Sequence, residues 1–166
     1  MDKRYLLILI IIIVCCVNLS IVVNNSEIIG SASAIVGKYI FSIPEGFSLY
    51  ENNNAKSATI QNDDNITIYF ESNLSDSDTY DNRLNYIENK TDDKILSEGT
   101  INLEKISIDT VYFQTNNTYK AVFYFEKDNT QFKIVISDFN YDTDRNLTLD
   151  YAKFIIQSTR FDYKTG

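Results

Sequence analysis

The sequence predicts an α+β fold: an antiparallel β-sheet with two packing helices, preceded by one N-terminal transmembrane helix. An apolar run opens the chain, and most later apolar residues alternate with polar ones, as half-buried strands do. Two segments instead repeat at the period of a helix. Because the strands cluster between two widely spaced helices, α+β is favoured over an alternating βαβ fold. A chain of 166 residues has room for one such domain.

Residues 1–23 are predicted to be an N-terminal membrane anchor or signal segment. Lys3 and Arg4 precede an apolar stretch that ends near Val23. At about 1.5 Å per helical residue, this stretch spans a bilayer core of about 30 Å. The basic residues favour a cytoplasmic N-terminus and a body outside the membrane. A cleaved signal peptide is the alternative, but the only A-x-A site, Ala32-Ser33-Ala34, lies far beyond the apolar run.

Residues 24–37 are predicted to be a polar linker, and residues 38–166 the extracytoplasmic folded domain. The domain opens with a strand in which Tyr39, Phe41 and Ile43 alternate with other residues. The sequence Pro44-Glu45-Gly46 then predicts a turn into a second strand. Further along, the polar residues 62–65 join two apolar segments and predict a hairpin.

Two helices are predicted from apolar residues spaced three and four apart. The first lies within 77–90, where Ser77 or Asp78 would cap it; its apolar face comprises Tyr80, Leu84 and Ile87. The second begins near Leu147, and its apolar face comprises Leu149, Ala152, Ile155, Ile156 and Thr159.

The clearest predicted hairpin turns at 128–130, between the two helices. Alternate residues on its two strands share a face that would lie in the core: Tyr119, Ala121, Phe123, Phe125, Phe132, Ile134 and Ile136. Val122, Tyr124 and Val135 alternate onto the opposite face. They would be candidates for an exposed binding patch if no helix covered that face.

Composition excludes several functional classes. A net charge of -8 argues against nucleic acid as a partner, because phosphate binding requires clustered Lys and Arg. The chain has no histidine, which rules out Ser-His-Asp and Cys-His arrangements. Its two cysteines, Cys15 and Cys16, lie in the apolar segment and give the body neither a disulfide nor a metal site. Its five glycines are too scattered for a phosphate-binding loop.

One segment resembles a calcium-binding loop, because side chains with oxygen atoms alternate along it. The candidate metal ligands are Asp138, Asn140, Asp142 and Asp144. An EF-hand would require glycine where Thr143 stands and glutamate where Leu149 stands. A polar loop that leads into the last helix is the preferred interpretation, and a looser calcium site is the alternative.

Two segments of the body resemble the PsbP-like superfamily. Residues 39–47, YIFSIPEGF, look like the F-x-x-P-x-G-F/W strand and turn that begins these domains. Residues 152–161, AKFIIQSTRF, are similar to their final helix, which ends in a small hydroxyl residue before a last apolar one. The superfamily includes photosystem-associated PsbP, Ran-binding Mog proteins and bacterial DcrB-type lipoproteins. The resemblance covers about 37–163 and implies a docking or accessory module with no shared catalytic constellation.

We therefore expect a membrane-tethered extracytoplasmic accessory or interaction module with no catalytic activity. Its expected partners are the membrane, through the N-terminal helix, and an envelope protein or a surface polymer. The alternative is a small-ligand or calcium-binding surface domain. A carboxylate-based hydrolase ranks third. It requires two carboxylates close together, but among 23 Asp and Glu residues such a pair is expected by chance and is therefore not specific evidence for catalysis.

Overall fold

Ten strands and two helices follow one another in the part of the chain that the computed structural model describes, residues 28–163 apart from 55, 76–77 and 90–92. In chain order they are β1 (Gly30–Val36), β2 (Tyr39–Pro44), β3 (Phe47–Asn54), β4 (Ser57–Asn62), β5 (Thr67–Ser72), α1 (Tyr80–Glu88), β6 (Asp93–Leu103), β7 (Ile106–Thr115), β8 (Thr118–Lys127), β9 (Thr130–Ser137), α2 (Tyr141–Ser158) and β10 (Arg160–Phe161). The α+β class with an antiparallel sheet and two packing helices is confirmed.

Seven strands form one antiparallel sheet in the order β3-β4-β5-β9-β8-β7-β6. Phe70, Ile134 and Phe123 pair across β5, β9 and β8, so they share what we call the inner face. The next row along the strands, which includes Val135 and Val122, lies on the opposite or outer face. The inner-face residues predicted for the β8–β9 hairpin all contribute to one hydrophobic core, which confirms that prediction.

The inner face is covered by a second sheet, of order β1-β2-β10, together with α2. Tyr39, Phe41 and Ile43 lie on the predicted opening strand, which is β2, and are buried in this core. The structure differs from the predicted linker of residues 24–37, because Gly30–Val36 forms β1 and pairs along β2. This strand is rich in Ser and Ala, so its apolar pattern is weak and its backbone pairing with β2 determines its place.

Helix α2 begins at Tyr141, so the predicted start near Leu147 is wrong by nearly two turns. The Asn140 side chain accepts a hydrogen bond from the Asp142 N–H at 3.0 Å, and the Asp144 carboxylate accepts one from the Asn140 N–H at 3.0 Å. This reciprocal cap satisfies N–H groups that a helix start leaves unpaired. The predicted apolar face is correct, since Ala152, Ile155 and Ile156 are buried.

Helix α1 lies on the outer face, and its N-cap is Thr79 rather than the predicted Ser77 or Asp78. The Thr79 hydroxyl accepts from the Asn82 N–H at 3.4 Å. The helix covers a second hydrophobic cluster whose buried members are Ile87, Val111, Phe113, Val122 and Tyr124. The condition for an exposed patch at Val122, Tyr124 and Val135 therefore fails: the first two are buried, and Val135 packs against the same cluster.

The turns that join β7 to β8 and β8 to β9 explain part of the chain's asparagine content. Asn116 and Asn117 have φ of 48° and 65°, and Asp128 and Asn129 have φ of 52° and 57°. Two consecutive residues with positive φ are what a type I′ hairpin turn requires. Asn and Asp adopt this conformation more readily than other non-glycine residues.

Neither helix in the described part of the chain is long and apolar enough to cross a membrane. The segment 1–23, predicted to be an anchor, lies outside the described residues.

Candidate functional site

A cleft of about 420 Å³ opens on the outer face, where the first turn of α1 meets β7, β8 and β9. We call it the α1 cleft. The lining residues that matter for its chemistry are Leu74, Tyr80, Asp81, Asp109, Tyr124 and Glu126. Its volume lies within the roughly 300–1,000 Å³ that is usual for small-ligand sites.

Strand register and the start of α1 bring these residues together from distant parts of the sequence. Asp109 on β7 pairs with Tyr124 on β8, so both side chains lie on the outer face. Tyr80 is the first residue of α1, and its ring meets the Tyr124 ring edge-on at a centroid distance of 6.0 Å. Asp81 follows in the first turn of the helix, and Glu126 lies two residues beyond Tyr124 on the same face of β8.

The described lining of the cleft carries negative charge only. Asp81, Asp109 and Glu126 contribute carboxylates, and none of the described lining residues is Lys or Arg. Asp109 accepts a hydrogen bond from the Thr100 hydroxyl at 2.7 Å, which fixes its orientation. Burial raises the pKa of Tyr80, and the nearby carboxylates of Glu98, Asp109 and Asp81 raise it further. The phenol of Tyr80 therefore lies in the negative electrostatic field of these carboxylates.

Two cations on the neighbouring outer surface are engaged by other groups. Lys133 forms ion pairs with Glu71, at 3.0 Å, and with Asp78. Burial opposes the charged form of Lys133, but its hydrogen bonds to Asp78 and Glu71 outweigh this and raise its pKa. Arg83 lies over the Phe113 ring, with its guanidinium carbon 4.9 Å from the centroid. Among the described residues that line the cleft, the carboxylates therefore have no basic side chain between them.

Tyr124 is the most unusual residue of the cleft. It is only 6% exposed, and its buried hydroxyl has no hydrogen-bond partner within the described residues. Leaving a buried polar group unpaired costs about 1–3 kcal/mol. Burial, and to a lesser extent Asp78, raises the pKa of this phenol strongly, so it stays protonated and neutral at physiological pH.

The four predicted calcium ligands lie elsewhere, at the start of α2. Two of them, Asn140 and Asp144, use side-chain oxygens to cap the helix. Asp138 has a φ of +66° and accepts a hydrogen bond from the Ser137 hydroxyl at 3.0 Å. Within the described residues, no group of three or more Asp, Glu, Cys or His side chains is placed to hold a metal ion. The looser calcium site stays a prediction.

Sequence reasoning missed the α1 cleft because its residues come from separate elements. The strand pattern did place Tyr124 on the outer face, and that alternation was the one available signal. Nothing in the pattern revealed that a carboxylate from β7 and two residues from α1 would meet this phenol, since long-range register is not encoded in local periodicity.

No protein-family model matches the chain, and no curated protein matches it. Solved structures do resemble it. The solution structure of cyanobacterial PsbP (CyanoP) from Synechocystis sp. PCC 6803 superposes with a TM-score of 0.53 at 8% identity, over 82% of this chain and 95% of that one.

A crystal structure from Bacteroides thetaiotaomicron VPI-5482 gives a TM-score of 0.51 at 14% identity and covers 83% of this chain. The match spans only 51% of the length of that protein. At such identities the likeness concerns the fold alone. The fold of this chain is PsbP-like.

Proposed function

We propose that the protein is a membrane-tethered, extracytoplasmic interaction module without catalytic activity, and that its partner binds at the α1 cleft. One observation carries this proposal: a cleft of about 420 Å³ holds three carboxylates with no basic side chain in its described lining, beside a buried hydroxyl that has no partner among the described residues. A buried polar group without a partner calls for an explanation, and a bound molecule at the cleft would supply one.

The position of the cleft suits recognition. Asp109, Tyr124 and Glu126 project from the interior strands β7 and β8 of the large sheet, so their backbones are fixed by pairing on both sides. Groups held on rigid strands lose little conformational entropy when a partner binds. The tether is supported by the basic residues and apolar run within 1–23.

The absence of catalysis is part of the proposal. Hydrolysis by paired carboxylates requires one acid that stays protonated, and enzymes usually achieve this by burial in an apolar pocket. Asp81 and Glu126 are both exposed to solvent. Assays with chromogenic glycosides and esters would check this point, and turnover that is lost in Asp109→Asn would instead establish the carboxylate-based hydrolase.

The test of partner binding is site-specific photo-crosslinking of the full chain in its native membrane. A photoreactive residue replaces Gln131, an exposed residue of the cleft lining. The matched control replaces Gln157, an exposed residue on α2. We expect one stoichiometric neighbour to be captured from position 131 and not from 157, and capture to fall in Asp109→Asn.

Equal capture from both positions, or none from position 131, would reject the cleft as the docking site. The tether is tested separately by comparing the full chain with a variant that lacks residues 1–23. We expect the full chain to sediment with membranes and the truncated chain to remain in the supernatant. Membrane association of both forms would reject the proposed anchor.

A further inference from the structure

The α1 cleft combines negative charge, an apolar wall and a tyrosine hydroxyl that pairs with no other described residue. We infer that it binds the basic side chain of a lysine or arginine presented by a partner polypeptide. This inference rests on the proposed function, because it names the ligand class that the same cleft would accept.

Charge complementarity is the first argument. Asp81, Asp109 and Glu126 face the cleft from α1, β7 and β8, so a cation inside it would have carboxylates on several sides. The nearby Lys133 is neutralised by Glu71 and Asp78, and Arg83 is stacked on Phe113. An anionic ligand would meet three like charges with no counter-charge in the described lining, which disfavours it strongly.

Tyr124 supplies the second, independent argument. A neutral hydroxyl has two acceptor lone pairs and one proton to donate, and this one uses none of them within the described residues. The hydroxyl oxygen is shielded from solvent, so an ammonium or guanidinium group, which has only donors, would use its acceptor capacity after displacing the side chains that cover it. A tyrosine phenol is neutral over the physiological range, and burial raises the pKa of Tyr124 further, so a cation would meet it without any change of protonation.

The apolar part of the cleft suits the stem of such a side chain. Leu74 and the ring of Tyr80 are partly buried and line the same space. Aliphatic stems of Lys and Arg pack on apolar surface while their charged ends reach polar groups. A cation near the face of an aromatic ring also gains electrostatic attraction. The cleft is partly open to solvent, which leaves room for the polypeptide that would carry the side chain.

The test is calorimetric titration of the full chain in detergent micelles. The probes are blocked lysine, blocked arginine, blocked norleucine as the uncharged isostere of lysine, a tri-lysine peptide, and spermidine as a free amine. We expect the charged probes to bind and norleucine not to bind. Affinity should fall as salt rises from about 0.05 M to about 0.5 M, because screening weakens exposed charge pairs.

Two variants locate the site. Tyr124→Phe removes the hydroxyl and no hydrogen bond to another described residue, so we expect a folded protein with affinity lowered about tenfold. Asp109→Asn should lower affinity by roughly three- to tenfold. The control is Asp63→Asn, which removes the same charge from the exposed β4–β5 turn. We expect that control to retain the affinity of the unaltered protein.

Equal binding of lysine and norleucine, or unchanged affinity in both Tyr124→Phe and Asp109→Asn, would overturn the inference. Tighter binding of the lysine peptide than of spermidine would support a cation that belongs to a polypeptide. Binding of spermidine alone would overturn the assignment of the cation to a polypeptide. If crosslinking at position 131 captures a partner that the lysine peptide does not displace, the inference fails while the proposed function stands. If the cationic probes bind but no partner is captured, the proposed function fails instead.

Discussion

The two faces of the large sheet are covered by very different amounts of structure. The inner face packs against a complete second sheet and the 18-residue helix α2, and the three form one continuous core. The outer face packs against the nine-residue helix α1, over a cluster of five buried residues. Because α1 is short, part of the outer face beyond its first turn is left uncovered, and the α1 cleft lies there. Stability and recognition are therefore placed on opposite sides of the same strands.

The largest expected effect is on stability, and it compares two buried phenylalanines that lie on neighbouring strands but on opposite faces of the sheet. Phe123 lies on the inner face and Phe113 on the outer face, and both are fully buried. We expect Phe123→Ala to lower the free energy of unfolding by about 4–5 kcal/mol and Phe113→Ala by about 3 kcal/mol. Each substitution leaves a cavity where the ring was. The short helix α1 can shift to fill part of the cavity at position 113, whereas the layers packed on the inner face cannot do so at position 123. Urea denaturation measures both values.

Amide hydrogen exchange gives a second comparison of the same two variants. We expect Phe113→Ala to increase exchange mainly in α1, because this helix packs over the altered residue. Phe123→Ala should increase exchange throughout the sheet. Equal losses of stability with identical exchange patterns would show that the two faces act as one cooperative unit.

A smaller effect tests how tightly the inner layers pack. A Cβ atom at Gly30 would lie 2.7 Å from the Ile43 carbonyl oxygen and 2.7 Å from Cζ of Phe154. We expect Gly30→Ala to cost about 1–3 kcal/mol, because the paired backbone of β2 at Ile43 and the ring of Phe154 must both shift. The control is Gly99→Ala on β6, where a Cβ would meet no atom within 4 Å. Thermal unfolding should show no loss for the control, and an equal loss in both variants would contradict the difference in packing.

The loss of stability at alkaline pH provides a comparison between one buried tyrosine from each face. Burial raises the pKa of both Tyr124 and Tyr112, but the Thr148 hydroxyl and Arg145 lower the pKa of Tyr112 in part. The folded state holds these protons to higher pH than the unfolded chain does, so stability falls as pH rises above about 10, by up to about 1.4 kcal/mol per pH unit for each tyrosine. We expect Tyr124→Phe to remove more of this decline than Tyr112→Phe, measured by urea denaturation from pH 8 to about 11.

The smallest expected effect concerns calcium at the start of α2. Any ion there would compete with the capping bonds made by Asn140 and Asp144. We expect 1 mM calcium to raise the free energy of unfolding by no more than about 0.4 kcal/mol, the value for a site with a Kd of about 1 mM. A larger rise that is lost in Asp142→Asn would establish the predicted calcium site and give the inner layers a ligand of their own.

The inner face could be predicted from the sequence largely because its signals are local. Phe123 and Ile134 alternate with outward residues, and Ala152, Ile155 and Ile156 recur at helical spacing, so each pattern indicates its element directly. The start of α2 was missed because its cap consists of Asn and Asp, which are equally typical of a polar loop. The first strand, β1, was missed because Ser and Ala alternate too weakly to reveal a strand.

The outer face was harder to predict because its chemistry depends on contacts between distant elements. Tyr124 and Asp109 meet through the register of β7 and β8, and Tyr80 reaches them only because α1 crosses this end of the sheet. The helical period predicted that α1 exists and which residues it buries. It did not predict which strands the helix covers, and the position of the cleft follows from that choice.

Under the proposed tether, strand β1 also limits the distance between the folded domain and the membrane. Because β1 begins at Gly30, only residues 24–29 separate it from a segment ending at residue 23, and six residues reach at most about 20 Å when fully extended. Gly30 lies beside Pro44, near the end of the sheet where Phe47 pairs with Asn62. Glu126 and Gln131 pair next to the β8–β9 turn, at the other end of the strands. A body held this closely would present its α1 cleft away from the lipid surface and about 20 Å farther out, because Gln131 and Ser137 lie six residues apart along β9.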